Sequence, residues 1–480
     1  MSIPAYNRKT IVALLLAGSF IAILNQTLMI TAIPPIMTEM GVTENSAQWL
    51  TTVFMLVNGI MIPISAFLIE RFTTRQLFIS AMSIFAFGTL FAGVAPNFEM
   101  LLVGRMIQSA GAGIMLPLMT TVFLLIFPVR KRGAIMGLIG LVISFAPAIG
   151  PALSGWVTSH YSWRVLFYII LPIAIIDIFI AVFALKNVTE QKKSKVDILS
   201  IIFSSFGFGG LLYGFTSAGN NGWLDPMTII ILIIGLISII LFVTRQLKLT
   251  YPMLEFRVFT FKIFPYAVLI GMVGFMGLIG TETLIPLYMQ NMRDFTAFES
   301  GLALLPGALI MGMMSPITGR IFDKYGAKWL VYIGLTILTV STFAFAILGP
   351  ETSFTYLTVM FAIRMFGLSM VMMPVATAAL NQIPKRLIPH GAAMDNTMKM
   401  IASSVGTALL VSVMTTTKES VSSNAGISNP DIFGANVSFL LLAILTLFTF
   451  ILAFFIKYDK PAHINDEDAL NEKASEESYK

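Results

Sequence analysis

Ala66-Phe67-Leu68-Ile69-Glu70-Arg71-Phe72-Thr73-Thr74-Arg75 is one of two stretches that decide how this chain folds. The other, 253 residues further on, is Gly319-Arg320-Ile321-Phe322-Asp323-Lys324-Tyr325-Gly326-Ala327-Lys328. In each, an acid is followed directly by a base, more basic charge comes next, and long apolar runs lie on either side. Pro63 and Pro316 keep the same offset, Pro34 and Pro286 stand 252 apart, and Arg105 and Arg364 stand 259 apart. Such self-similarity in apolar surroundings reads as two related halves, residues 1–186 and 251–457. Residues 187–250 are then an insert between them, and residues 458–480 a polar tail on the cytoplasmic side.

Outward from these stretches the chain is apolar almost throughout. Of its 480 residues 57% are hydrophobic and 11% charged, against about 25% charged in a soluble domain. A helix needs about 20 mostly apolar residues to cross the hydrocarbon core. Such runs lie at 11–33, 47–69, 76–94, 99–124, 134–156, 165–185, 198–216, 227–244, 264–288, 300–318, 329–348, 354–378, 391–416 and 433–456. In lipid the backbone must satisfy its own hydrogen bonds, and the runs are too long and too continuous for barrel strands. The expected fold class is therefore an all-α membrane protein of 14 transmembrane helices. It has two pseudo-symmetric six-helix halves and a two-helix insert, a 6+2+6 layout. The first run continues to Pro34 without a small-residue cleavage site, so it reads as a retained span.

Basic residues test the count independently. Of the 30 Lys and Arg, Arg164, Arg293 and Lys418 fall in the loops on the side opposite the N-terminus. Arg105, Arg364 and Lys399 fall within spans, and all the others lie on the N-terminal side. That bias orients the chain with both termini in the cytoplasm. The basic balance, with a pI near 9.3, is thus an orientation signal in a multi-pass protein whose partner is the lipid bilayer, not a nucleic acid. There is no cysteine, and His160, His390 and His463 form no metal-binding cluster. No phosphate-binding G-x-x-x-x-G-K-[ST] loop occurs, so neither metal nor nucleotide is expected, and no cofactor beyond a coupling proton. Without a reactive constellation or a sizeable domain outside the spans, a membrane enzyme or receptor is disfavoured.

The paired loop stretches resemble the loop motif of the major facilitator superfamily, G-x-L-a-D-r-x-G-r-k. It is degenerate at Ala66, Glu70 and Thr73 and better kept from Gly319. Leu101-x-x-x-Arg105-x-x-Gln108-Ser109-x-Gly111-x-Gly113 resembles that family's helix 4 motif. Ala146-x-x-x-Gly150-Pro151-x-x-Ser154-Gly155 resembles its helix 5 antiporter motif, and Trp163-Arg164 through Pro172 the start of its helix 6. The 6+2+6 layout is similar to the fourteen-span drug:proton antiporter branch. Leu24-Asn25-Gln26-Thr27-Leu28, with Asn25 where most of the branch has Asp, is similar to the lincomycin-resistance and multidrug-efflux subgroup. The resemblance implies a secondary transporter of a bacterial plasma membrane that exports drugs against protons by alternating access; since each chain holds both halves, it could work as a monomer.

Ionisable residues inside spans cost about 2.5–3.5 kcal/mol on insertion scales, so each is a functional candidate. Glu282, beside Thr281 and Thr283 that can hydrogen-bond it, is the first expectation for the proton site, because helix 1 has no acid. It could equally be an acid at the interface or a structural hydrogen-bond donor. Asp177 is a second proton site, a counter-charge for a cationic substrate, or a structural carboxyl. Arg105 cannot release a proton at useful pH, but it can hold a carboxylate or an opened carbonyl. The resemblance gives it a part in proton coupling, with Arg364 as its counterpart; the alternative is a clamp between helices. Asn25 and Gln26, with Glu282, are candidates to contact substrate, the alternative for the polar pair on helix 1 being a hydrogen bond to a neighbouring helix. Asp395 and Lys399 are spaced to pair along one helix and read as structural. Glu70 with Arg71 and Arg75, and Asp323 with Lys324, sit where an acid can cap a following helix or pair with the other half. In either place they would bias the access equilibrium. Gly150-Pro151 is expected to bend helix 5, and Gly133, Gly137, Gly140, Gly150 and Gly155 to admit close neighbours. The 30 methionines and 39 phenylalanines supply packing and a cavity wall suited to amphiphilic drugs. A natural metabolite as the true cargo, with drugs incidental, is the alternative.

Overall fold

The computed structural model describes residues 7–189, 191, 197–422 and 429–455. The expected polar tail at 458–480, and Lys192, Lys193 and Lys195 of the basic tally, lie outside the described residues. Fourteen helices are long and apolar enough to span a membrane, and no strand occurs among the described residues. They are α1 (Arg8–Met40), α2 (Glu44–Arg71), α3 (Thr74–Gly93), α4 (Phe98–Ile126), α5 (Arg132–His160), α6 (Arg164–Ala184) and α7 (Ile198–Asn221). They continue with α8 (Pro226–Lys248), α9 (Phe264–Arg293), α10 (Ala297–Tyr325), α11 (Ala327–Phe345), α12 (Phe354–Asn381), α13 (Ile388–Val421) and α14 (Pro430–Phe455).

The helix ends follow local chemistry. Thr73 with Gln76 and Thr296 with Glu299 form reciprocal capping boxes at the starts of α3 and α10. Gly41 ends α1 in the left-handed region at φ 65°, where a side chain is unfavourable. Prolines sit inside several helices, among them Pro147 and Pro151 in α5 and Pro286 in α9. In a span, neighbouring helices can satisfy the backbone groups that proline frees. At 33 and 34 residues, α1 and α13 outrun the expected spans by reaching past the apolar core at both ends.

Helices α1–α6 pack together, as do α9–α14, and the insert α7–α8 packs on itself and against α2 and α13. Two seams join the halves, α5 with α10 and α2 with α13. The first is tight because of glycine. A side chain on Gly319 would strike the Gly133 carbonyl, and one on Gly137 the Ser315 carbonyl. Gly140 and Gly150 are likewise pressed against Ser315 and Thr27, but Gly155 faces open space. The expectation of close approach therefore fails at Gly155, whose side of α5 meets no neighbour.

The apolar exterior is read from exposure. Ile175, Ile176, Phe179 and Phe183 of α6 face outward, while Asp177 between them is buried against the bundle. The pattern is inverted relative to a soluble protein because the solvent on that face is lipid.

Candidate transport cavity

Alternate helix starts define two ends of the bundle: a basic end, where α1 begins, and a far end, where α2 begins. Between the halves lies a cavity of about 730 Å³, a size typical of small-molecule sites. Its wall runs from Met136, Met373 and Asp395 near the basic end to Ile33, Gln48 and Val411 near the far end. Eight elements contribute from the two halves, and α7 of the insert adds Phe215, Thr216 and Gly219. Methionines from six helices (Met55, Met115, Met136, Met311, Met365, Met372, Met373 and Met400) make much of the surface. Thioether side chains re-pack around ligands of different shape.

The basic end is shut by contacts between the halves. Both Asp323 carboxylate oxygens accept backbone N–H bonds at the start of α5, from Gly133 at 2.7 Å and Ala134 at 2.8 Å. This is an anion on a helix N-terminus, where aligned peptide dipoles favour it. Gly133 is required there: a Cβ would lie 2.6 Å from Asp323 Oδ1. Arg132 Nη1 donates to Asn381 Oδ1 at 2.8 Å, and Glu70 Oε1 lies 3.2 Å from His390 Nε2. His390 Nδ1 accepts from the Glu255 N–H at 3.3 Å, which ties the chain leading into α9 to the same cluster. Among the described residues no hydrogen bond or ion pair joins α1–α6 directly to α9–α14 at the far end. Met136 and Met373 of the wall are buried toward the basic end, whereas Ile30 and Met55 are exposed, so the cavity is sealed at the basic end and opens toward the far end.

Glu70 and Asp323 are brought to the other half, not to the helix that follows each in sequence, where Thr73 and Gly326 hold the caps instead. Arg71 lies over the rings of Phe67 and Phe72, Lys324 lies over Tyr325, and Arg75 donates to the Val182 carbonyl. None of these contacts crosses between the halves. Gly150 leaves room for Thr27, whose hydroxyl also reaches the Ala146 carbonyl, while Pro151 continues within the unbroken α5.

Three charged side chains line the cavity: Glu282, Asp395 and Lys399. Glu282 stands on the α9 wall toward the far end. Its neighbours do not serve it as expected, since Thr283 donates to the Ile279 carbonyl and the buried Thr281 hydroxyl makes no hydrogen bond. Asp395 and Lys399 pair at 2.6 Å along α13, as their spacing predicts, but they do so on the cavity wall. Gln26 lines the cavity and Asn25 does not. Asn25 is buried, and its Oδ1 accepts from Arg105 Nη1. Arg105 also donates to Gln108 Oε1 at 2.6 Å and to the Leu50 carbonyl at 3.3 Å, and lies 4.2 Å from the Phe54 ring centre. Asp177 is off the cavity too, at the junction of α6 with Gly18, Phe78 and Met82.

Residues 15–407 match the Major Facilitator Superfamily. The chain belongs to the major facilitator superfamily. Among its relatives, an uncharacterized MFS-type transporter of Bacillus subtilis, YcnB, is 55% identical over 94% of this chain and 96% of its own. The lincomycin resistance protein LmrB of the same organism is 41% identical over the same shares. The multidrug export protein EmrB of Haemophilus influenzae is 30% identical over 82% of this chain and 78% of its own. The human organic anion transporter MFSD10 shares the fold, with a TM-score of 0.66 at 14% identity, covering 93% and 99% of the two chains. The protein is accordingly a multi-pass membrane transporter and not an enzyme.

Sequence reasoning missed His390, Arg132 and the α7 wall of this superfamily cavity. A lone histidine carries no motif. Its one available signal was position, since His390-Gly391 follows Arg132-Gly133 at an offset of 258, and both open the first turn of a seam helix.

Proposed function

We propose that the protein is a proton-driven multidrug efflux antiporter of a bacterial plasma membrane, with the basic end and both termini cytoplasmic. The cargo would be small amphiphilic drugs taken from the cytoplasm or inner leaflet and released at the far end. The observation that carries this reading is a methionine-rich cavity between two halves with a carboxyl, Glu282, on its wall. A carboxylate in such a wall attracts a cationic drug, while its protonated form does not. Proton and drug can therefore exclude one another at Glu282, which is the condition for exchange. The orientation places the basic charge inside and makes the observed conformation outward-facing. Asp323 on α5, with Glu70 on His390, would then latch the inner gate and must release for the cavity to face the cytoplasm. One chain holds both halves and could act alone. The names of LmrB and EmrB support drugs as the cargo.

The polar face of α13, with Asn396, Ser403, Ser404 and Thr407 beside the Asp395–Lys399 pair, supports a second reading. A hydrogen-bonding metabolite could be the natural cargo and drugs incidental.

Growth inhibition across drug classes, in a pump-deficient host, decides between activity and its absence. Wild type should raise resistance to several unrelated amphiphiles. Glu282→Gln should lose that resistance and, lacking the carboxylate, should bind lincomycin, an amine cation, several-fold more weakly than wild type. Full resistance in the variant would remove Glu282 from the mechanism.

A further inference from the structure

The two halves treat their buried arginine differently. In the N-terminal half Arg105 is held by Asn25, Gln108, the Leu50 carbonyl and the face of Phe54. Gln108 is in turn fixed by Thr89 at 2.7 Å. The repeat offsets locate the counterparts around Arg364: 252 carries Asn25 to Gly277, 259 carries Gln108 to Gly367, and 253 carries Phe54 to Gly307 and Thr89 to Thr342. Three partners have become glycine, and the threonine is kept. Accordingly Arg364, with no exposed surface, uses only Nε, toward Thr342 Oγ1 at 3.3 Å, and both of its Nη groups make no hydrogen bond to protein.

Deleting the side chain at Gly277 has brought the guanidinium up to the α9 backbone, where an added Cβ would lie 2.5 Å from Nη2. The same helix carries Glu282 five residues on, about 7–8 Å along the axis. Across that short stretch of α9 the opposite charges of Arg364 and ionised Glu282 attract without forming a direct ion pair. Of the other charges near α9, Arg293 at its far end donates to the Gly349 carbonyl at 3.3 Å and Asp294 ends the helix there. Asp395 and Lys399 neutralise each other beside Gly271, and Lys418 and Asp431 do so where α13 meets α14 at the far end. Glu299 on α10 caps its own helix, while Glu255 bonds Arg257 at the basic end.

We infer that Arg364 is the positioning residue for Glu282: an unpaired guanidinium held behind α9 as the counter-charge of the Glu282 carboxylate. The inference rests on Glu282 being the proton site. It assigns the two arginines different work. Arg105, with neutral partners, clamps helices α1, α2 and α4 whatever the proton does. Arg364, stripped of neutral partners, is compensated only when Glu282 is ionised. Proton loss from Glu282 therefore tightens α9 against α12, and proton gain loosens it.

Infrared difference spectroscopy of the purified protein in lipid, titrated with pH, reads this without any drug. The Glu282 band is the protonated-carboxyl stretch that Glu282→Gln abolishes. Its midpoint should move about one pH unit upward in Arg364→Gln, and likewise in Gly277→Ala, which displaces the guanidinium. Arg364→Lys keeps the charge and should keep the midpoint, which guards against a variant that fails to fold. A midpoint unchanged in Arg364→Gln and Gly277→Ala, or no titrating band attributable to Glu282, overturns the inference. Proton-driven transport that survives in Glu282→Gln would instead remove the proposed coupling role while leaving the electrostatic pairing standing.

Discussion

At the scale of single residues, the chain shows how far a side chain's role depends on what faces it. Asn25 and Gln26 are adjacent on α1, yet one fills the arginine network and the other faces the cavity. Replacing Arg105 by Met strands the acceptors of Asn25 and Gln108, at roughly 1–3 kcal/mol each, and should lower the melting temperature clearly. Replacing Arg364 by Met removes a buried charge with one weak hydrogen bond, to Thr342, and at acid pH, where Glu282 carries no charge for it to balance, should leave thermal stability unchanged or higher. Thermal unfolding of the two variants side by side checks this, and equal losses would contradict it. The ionisable residues themselves were legible in the sequence, because charges in apolar runs stand out. What each one touches was not. Asp395–Lys399 was readable as a pair, but its place on the cavity wall depends on how α13 is rotated against α9. Asp177 faces α1 and α3 for the same kind of reason.

At the scale of elements, most of the helix plan was open to inspection, since length, hydropathy and alternating basic loops constrain one another. Helix rotation and gate contacts were less so. The acids at Glu70 and Asp323 could be seen as gate residues, but their targets, His390 and the first turn of α5, are remote in sequence. Asp323→Asn weakens two charge-assisted bonds of roughly 1.5–3 kcal/mol each, enough for at least a ten-fold shift in the access equilibrium at about 1.4 kcal/mol per decade. The chain has no cysteine, so a single Thr52→Cys thiol in the cavity wall reports this directly. Its labelling by a membrane-impermeant maleimide added at the far end should fall several-fold in the Asp323→Asn background, and unchanged labelling would discount the latch. The insert is held by Asp197, which caps α7 and accepts from Arg245 Nε and Nη2 of α8 at 2.8 and 2.9 Å. Its bond to Arg245 outweighs burial and holds the Asp197 carboxyl below the usual range. A depressed value means stability present at neutral pH and lost as pH falls through it. Asp197→Asn should therefore cost on the order of 1 kcal/mol or less near pH 7, given partial exposure, and the gap to wild type should close in acid.

For the whole molecule, the repeat read from two loop stretches becomes a physical device: two halves, two seams, and a cavity between them. One proton entering for one drug cation leaving moves no net charge, so the pH difference drives the exchange, each unit being a ten-fold proton gradient worth about 1.4 kcal/mol. The insert adds a wall to that cavity through Phe215 and Thr216, which the repeat alone could not reveal because neither half has a copy of it. The central claim, exchange of drug for proton through Glu282, is tested most directly by drug uptake into proteoliposomes under an imposed pH gradient. Lincomycin or tetraphenylphosphonium should accumulate when the lumen is acid, stop when a protonophore collapses the gradient, and fail to accumulate with Glu282→Gln. Equal accumulation with and without the gradient, or wild-type accumulation in that variant, would contradict the account.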